Sequence, residues 1–379
     1  MIRVMSVVGA RPQFIKAAVV SRAMAQTGAI AESMVHTGQH SDFNMSQVFF
    51  DELRLPAPAH HFDLGGGTHA QQVGGMLPVL ESVMTSERPD WVLVYGDTNT
   101  TMAGALSAAK LAIPVAHVEA GLRCFNPAVP EEINRVVTDR VSSLLFAPTA
   151  TAVNNLRAEG FTESSVRLVG DVMYDAALSL SSVAERTSTI AHETGLDRGD
   201  FILVTIHRQE NTDDPEKLSA ILDALQALAA DIPVVLPLHP RTRQRLAELG
   251  RSGAGRDGLK LLPPLSYFDM LALLKRARLV ATDSGGLQKE AYFFRVPCVT
   301  LRAETEWVEL VERGWSRLCE PVSAGIVVDC IRKTLSVPLP SEPDTADALY
   351  GSGKASFNIA QILVRETERR NSLPNACRS

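Results

Sequence analysis

Residues 2–16 read Ile2-Arg3-Val4-Met5-Ser6-Val7-Val8-Gly9-Ala10-Arg11-Pro12-Gln13-Phe14-Ile15-Lys16. An apolar run of strand length stops at a glycine and gives way to a segment of helical period. Pro12 suits a first helical turn, where its missing N–H costs nothing. The same strand-turn-helix unit recurs along the chain. In the first half, strands are expected near Arg3 to Val8, Trp91 to Tyr95, Val115 to Val118, Leu144 to Ala147 and Val166 to Val169, with helices between them such as Pro12 to Gln26, Thr100 to Lys110 and Thr149 to Ala158. Residues 173–200 fit no buried strand and mark a boundary region. A second series follows, with strands near Phe201 to Thr205, Val234 to Leu236, Leu259 to Leu262, Leu279 to Ala281 and Cys298 to Thr300. Its helices run near Pro215 to Ala229, Arg241 to Leu249, Phe268 to Arg276 and Gly286 to Tyr292. Short Val/Ile/Leu-rich strands alternating with helices predict parallel sheets of the α/β class. Two successive series predict two Rossmann-like doubly wound domains, 1–172 and 173–345, facing a cleft, with ligands beyond the carboxyl ends of the strands.

Size and charge narrow the function. The chain has 379 residues, enough for two domains at roughly 100 to 200 residues each. At 45% hydrophobic and 21% charged, each domain has the apolar residues to bury a core. Lys and Arg number 37 against 43 Asp and Glu, a formal charge of −6, so no bulk positive field exists to hold a nucleic acid or an anionic membrane. An anionic ligand must be gripped by a few placed cations. The apolar start lacks the basic leader and cleavage box of a signal peptide, and no stretch approaches the ~18 apolar residues of a membrane span. Five scattered cysteines (Cys124, Cys298, Cys319, Cys330, Cys377) lack metal-type spacing and read as reduced thiols of a cytoplasmic protein without a metal site.

The unusual polar clusters fall at predicted strand ends. Gly9 to Lys16 places Arg11 and Lys16 beside a helix N-terminus, which favours an anion; the plainer reading is a strand-to-helix turn with solvated cations. The segment is not GxGxxG, and no acidic residue closes a second strand ~20 residues later, which disfavours a nicotinamide cofactor; none is expected. Tyr95-Gly96-Asp97-Thr98 puts a carboxylate at a strand end, where Asp97 or Thr98 alternatively only caps the next helix. His117-Val118-Glu119-Ala120-Gly121-Leu122-Arg123 adds a second carboxylate. Pro130-Glu131-Glu132-Ile133-Asn134-Arg135 adds two more, which alternatively serve only as dipole partners. Carboxylates crowded at one sheet edge shift one another's pKa and suit acid-base work. In the second half, His207-Arg208 follows one strand and His239 the next; His207 beside Arg208 reads as functional. Thr282-Asp283-Ser284-Gly285-Gly286-Leu287-Gln288-Lys289-Glu290 is the sharpest signal. Its two glycines let backbone N–H groups approach a phosphate, Ser284 adds a hydroxyl, and Glu290 has the reach to hold ribose hydroxyls.

Taken in order, these motifs resemble the non-hydrolysing UDP-N-acetylglucosamine 2-epimerase family over nearly the whole chain, down to Tyr350-Gly351-Ser352-Gly353-Lys354. The resemblance implies the glycosyltransferase-B fold, a C-terminal helix within 346–379 crossing back to the first domain, and a homodimer. It implies that Asp97, Glu119, Glu131 and His207 are catalytic. Arg11, Lys16, Arg135, Arg208, His239, Ser284, Gly285, Gly286 and Glu290 are implied to bind the UDP-sugar. The reaction so implied is anti elimination of UDP to a 2-acetamidoglucal, then syn re-addition with C2 inverted, which needs protons handled on both ring faces. The pair of substrates is UDP-GlcNAc and UDP-ManNAc. The segments His36 to Asp42 and Gly121 to Asn126 also resemble the branch acting on UDP-2,3-diacetamido-2,3-dideoxyglucuronate, used for O-antigen sugars. Where many members carry Thr-Glu-Arg-Pro-Glu, this chain reads Thr305-Glu306-Trp307-Val308-Glu309. A sugar transferase on the same fold is the alternative from another class.

Overall fold

The computed structural model describes residues 1–39, 55–197, 199–251, 258–340 and 349–372, with Arg11 described by its backbone only. The chain divides into two compact units, Met1–Ala176 with Asp344–Ser379, and Ala177–Pro343. The first runs β1 (Ile2–Val8), α1 (Arg11–Thr27), β2 (Ile30–His36), β3 (His60–His61), α2 (His69–Glu87), β4 (Trp91–Tyr95), α3 (Asn99–Lys110), β5 (Val115–Val118), α4 (Pro130–Val141), β6 (Leu144–Ala147), α5 (Ala150–Ala158) and β7 (Val166–Leu168). Helix α6 (Val172–Thr187) crosses the division. The second continues with α7 (Ile190–Glu193), β8 (Ile202–Thr205), α8 (Gln209–Thr212), α9 (Pro215–Leu228), β9 (Val234–Pro237), α10 (Pro240–Glu248), β10 (Leu259–Leu262) and α11 (Tyr267–Leu274). It ends with β11 (Leu279–Thr282), α12 (Gly285–Phe293), β12 (Cys298–Thr300), α13 (Val308–Glu312), β13 (Ser316–Leu318) and α14 (Ala324–Ser336), after which α15 (Ala355–Ser372) belongs to the first unit.

Each unit holds one parallel sheet, in the order β3-β2-β1-β4-β5-β6-β7 and β10-β9-β8-β11-β12-β13. In both, the chain starts at the middle, winds to one edge, then returns to wind toward the other. The winding reverses between β1 and β4 in the first sheet and between β8 and β11 in the second. At such a switch point the loops leaving adjacent strands diverge to opposite faces and open a crevice at the carboxyl ends. The four polar turns that follow β1, β4, β8 and β11 are the ones at these two points.

The central strands form because they are apolar on both faces; all five residues of β4 are buried, Trp91 and Tyr95 included. Trp91 also anchors α15, its Nε1 donating to Thr367 Oγ1 at 2.8 Å. Asp175 caps that helix, accepting from the backbone N–H of Ala355 at 3.1 Å and of Ser356 at 2.8 Å. Strand β2 was not expected, because Glu32 and Ser33 break its apolar run. Ser6 Oγ on neighbouring β1 donates to Glu32 Oε1 at 2.5 Å, which satisfies the acid in place, while burial pushes its pKa up. Residues 173–193, read as unsuited to strand, are mostly helical in α6 and α7. No helix among the described residues is long and apolar enough to cross a membrane.

Candidate active site

In the first unit, the turns after β1 and β4 are tied together by Gln13. Its Oε1 accepts from the N–H of Gly9 at 2.8 Å and of Ala10 at 3.1 Å, and its Nε2 donates to Tyr95 O and to Thr101 Oγ1, both at 2.9 Å. All four hydrogen bonds of a buried amide are thereby made. One turn further along α1, Lys16 is buried and its Nζ is paired with Glu119 Oε2. The charge of Lys16 is thus committed to a carboxylate within the protein. Both groups lie over Gly96, where an added Cβ would meet Lys16 Nζ at 3.1 Å and Glu119 Oε2 at 3.3 Å. Gly96 has φ +65°, and Glu119 itself is held at φ +75°, a backbone conformation that costs a non-glycine residue energy and needs its surroundings to enforce it. Arg11 opens α1, but its side chain lies outside what is described.

His117 enforces part of this geometry. Its Nε2 donates to Gly96 O at 2.7 Å, the carbonyl being an acceptor only, and its Nδ1 lies 2.6 Å from Asp139 Oδ1. Burial alone would raise the pKa of Asp139, but His117 and Arg123, whose Nη1 stands 2.8 Å from Oδ2, outweigh it and hold the carboxyl below its usual range.

Asp97 does not cap the following helix; Thr98 does, its Oγ1 accepting from Thr101 N–H at 3.3 Å. Asp97 instead accepts from Arg135 Nη1 at 2.5 Å. Removal from water raises its pKa although 36% of the side chain is still exposed; Arg135 and Lys16 pull the value down, and Glu119 and Glu131 push it back up. Of the two adjacent acids opening α4, Glu131 is exposed and makes no hydrogen bond among the described residues, acting on Asp97 through its charge. Glu132 is buried. It accepts from Arg135 Nη2 at 2.7 Å and from the N–H of Phe125 at 2.9 Å and of Cys124 at 3.2 Å. Burial opposes its ionisation, but these donors prevail and its pKa falls. Glu132 therefore aims Arg135 at Asp97 and pins the Cys124-Phe125 loop, a role that sequence alone did not separate from that of its neighbour.

In the second unit, β8 and β11 are joined at their ends by Thr205 Oγ1 and Thr282 Oγ1, 2.6 Å apart. The next residue, Asp283, is fully buried and organises the turn opposite. It accepts from the backbone N–H of His207 and of Arg208 and from Asn211 Nδ2, each at 3.1 Å, and its Oδ1 lies 3.3 Å from His207 Nδ1. Burial lowers the His207 pKa, with Asp283 opposing and Arg208 assisting, which favours the neutral ring and leaves Arg208 as the fixed cation of this turn. His239 caps α10, its Nδ1 accepting from Arg241 N–H at 3.3 Å, and its ring centroid is 5.9 Å from that of His207. Ser284 caps α12, its Oγ accepting from Leu287 N–H at 3.4 Å, which leaves the Gly285-Gly286 turn at the helix N-terminus. Glu290 is buried and accepts from Tyr267 Oη at 2.8 Å. Tyr267, Asp283, Gln13 and Glu132 are the positioning residues that the motifs did not single out.

The first unit thus gathers the carboxylates Asp97, Glu119 and Glu131, groups able to take and return protons, with the cations Lys16 and Arg135 beside them. The second gathers His207, Arg208, His239, Ser284, Gly285, Gly286 and Glu290 around a helix N-terminus suited to a phosphate. A family model described as UDP-N-acetylglucosamine 2-epimerase matches residues 22–364. The chain belongs to the UDP-N-acetylglucosamine 2-epimerase family. It is therefore an epimerase, of the isomerase class. A UDP-2,3-diacetamido-2,3-dideoxy-D-glucuronate 2-epimerase of Pseudomonas aeruginosa is 47% identical over 366 residues, covering 96% of this chain and 99% of that one. A UDP-N-acetylglucosamine 2-epimerase of Methanocaldococcus jannaschii is 40% identical over 365 residues, covering 94% and 98%. The crystal structure of the M. jannaschii UDP-GlcNAc 2-epimerase in complex with UDP-GlcNAc and UDP superposes with a TM-score of 0.88 over 96% of this chain and 100% of that one, at 39% identity. The epimerase of Neisseria meningitidis bound to UDP-GlcNAc gives 0.86 over 96% and 100%, at 28% identity. The two doubly wound parallel sheets are those of the glycosyltransferase-B fold of this family.

Proposed function

We propose that the chain interconverts UDP-GlcNAc and UDP-ManNAc by anti elimination of UDP to 2-acetamidoglucal and syn re-addition. The C2 proton of a 2-acetamido sugar is not beside a carbonyl, so direct deprotonation is poor. Breaking the C1–O bond first creates an oxocarbenium-like centre whose C2 proton is acidic. Inversion at C2 then needs one group on each ring face, together with cations for the departing diphosphate. The observation that carries the proposal is the cluster of Asp97, Glu119 and Glu131 around Lys16 and Arg135 at the β1/β4 switch point. Transfer to an acceptor would not need so many carboxylates on one sheet edge. Asp97 is the leading acid-base group, since burial raises its pKa toward the working range. Arg208 and the α12 N-terminus are the groups for the diphosphate, and Glu290 with Tyr267 those for the ribose.

A second reading keeps the mechanism and changes the sugar. The Pseudomonas relative, at 47% identity across nearly both chains, supports UDP-2,3-diacetamido-2,3-dideoxyglucuronate as the substrate. Turnover of the two nucleotide sugars, compared as kcat/KM on one preparation, decides between them; the first reading expects UDP-GlcNAc to be the better substrate. A homodimer acting in the cytoplasm on precursors of cell-surface polysaccharide completes the proposal, and light scattering of the purified chain tests its oligomeric part.

A further inference from the structure

From sequence, the glycines opening α12 are expected to let a phosphate approach. In the structure the space over Gly285 is held by a carboxylate. A Cβ built there would overlap Glu306 Oε1 and stand 3.6 Å from Trp307 Nε1, whereas over Gly286 the nearest atom is Ser284 Oγ at 4.0 Å. Two arginines hold the Glu306 side chain, which is only 11% exposed. Its Oε2 accepts from Arg302 Nη1 at 3.0 Å, and Arg208 Nη2 lies 3.8 Å from Oε1. The Arg302 side chain is 3% exposed, so this is a sheltered pair that salt screens little. One carboxylate therefore lies against the N-terminal turn of α12, where backbone N–H groups and the helix dipole favour an anion, and also against Arg208.

We infer that Glu306 is an internal anion that occupies the diphosphate-binding groups of the second unit and sets the affinity for nucleotide diphosphates by competing for them. The inference rests on reading Ser284 to Glu290 as the nucleotide motif. Two anions cannot share one helix N-terminus and one guanidinium without repulsion, so an incoming diphosphate displaces the carboxylate or binds against its charge. Arg302 supplies the anchor on which a displaced side chain is retained. A weakened grip on the bound nucleotide sugar favours turnover, because binding that ground and transition states share does not accelerate chemistry.

The test is calorimetric titration of UDP, and of uridine as a phosphate-free control, into the wild-type chain and into Glu306→Gln and Glu306→Asp variants. Glu306→Gln keeps the shape and removes the charge, and is expected to bind UDP about tenfold tighter with uridine affinity unchanged. Glu306→Asp, drawn back by one methylene, is expected to fall between. UDP affinity in Glu306→Gln equal to or weaker than wild type overturns the inference while the nucleotide-site reading stands. A wild-type chain that does not bind UDP overturns that reading, and this inference with it. Should Glu306→Gln fail to fold, Glu306→Asp decides by the same criterion.

Discussion

The Lys16 ammonium on α1 and the Glu119 carboxylate after β5 meet in the interior of the first unit, over the bare Cα of Gly96, with 9% and 8% of their side chains exposed. Three separate segments of chain must be in register for that contact to form. A buried pair costs both partners their hydration, and it is tolerated because each supplies the other's countercharge.

Removing one partner leaves an uncompensated buried charge. Lys16→Met or Glu119→Gln should each cost about 3 kcal/mol of unfolding free energy, read by urea denaturation. The double variant should recover much of that loss but none of the activity. Additive losses in the double variant would argue against the pairing.

Gly96→Ala places a methyl group in contact with both Lys16 Nζ and Glu119 Oε2, at a φ of +65°. The expected cost is about 1 kcal/mol from the backbone alone. Epimerisation should fall by more than the stability loss explains, since the pair is pushed apart. Thermal melts beside steady-state kinetics separate the two effects.

Asp97 provides a pH signature. Burial sets its folded pKa above the unfolded value, so the folded chain binds this proton more tightly. Its contribution to stability is full below the ordinary carboxylate range and is lost as pH rises through the raised folded value. Asp97→Asn abolishes this titration. Relative to wild type, the variant should be more stable near neutral pH than near pH 4, while activity drops by roughly 10²-fold or more. An unchanged pH dependence of stability would assign the raised pKa elsewhere, and normal turnover would remove Asp97 from the chemistry.

Asp283 is the hub of the second unit's turn, accepting from His207 N–H, Arg208 N–H and Asn211 Nδ2. Asp283→Ala strands these donors and should cost about 3 kcal/mol. UDP affinity should fall at least about tenfold as His207 and Arg208 lose their placement. Asp283→Asn, which retains one acceptor oxygen, should lie between; UDP binding equal in all three proteins would show that the turn does not depend on this carboxylate.

Much of the fold was legible because fully buried parallel strands read as short unbroken apolar runs, as in Trp91 to Tyr95. Where a polar residue is buried with a private partner the signal fails, and Glu32, held by Ser6 across two strands, hid β2 in this way. Sites follow the same logic. Asp97 and Glu119 stand out as carboxylates at strand ends. Glu131 and Glu132 are adjacent in sequence, and only the helical turn separates them, leaving one exposed and burying the other against Arg135 three residues on. Tyr267 and Glu290 are distant in the chain and share no motif, so their contact is a property of packing alone.

In the proposed reaction the C2 proton is removed and returned through an elimination intermediate. Incubating the enzyme with UDP-GlcNAc in D2O and following both epimers by NMR tests it directly. UDP-ManNAc is expected to form with deuterium at C2 of both epimers at equilibrium; epimerisation that proceeds without solvent deuterium entering C2 would rule out the elimination route.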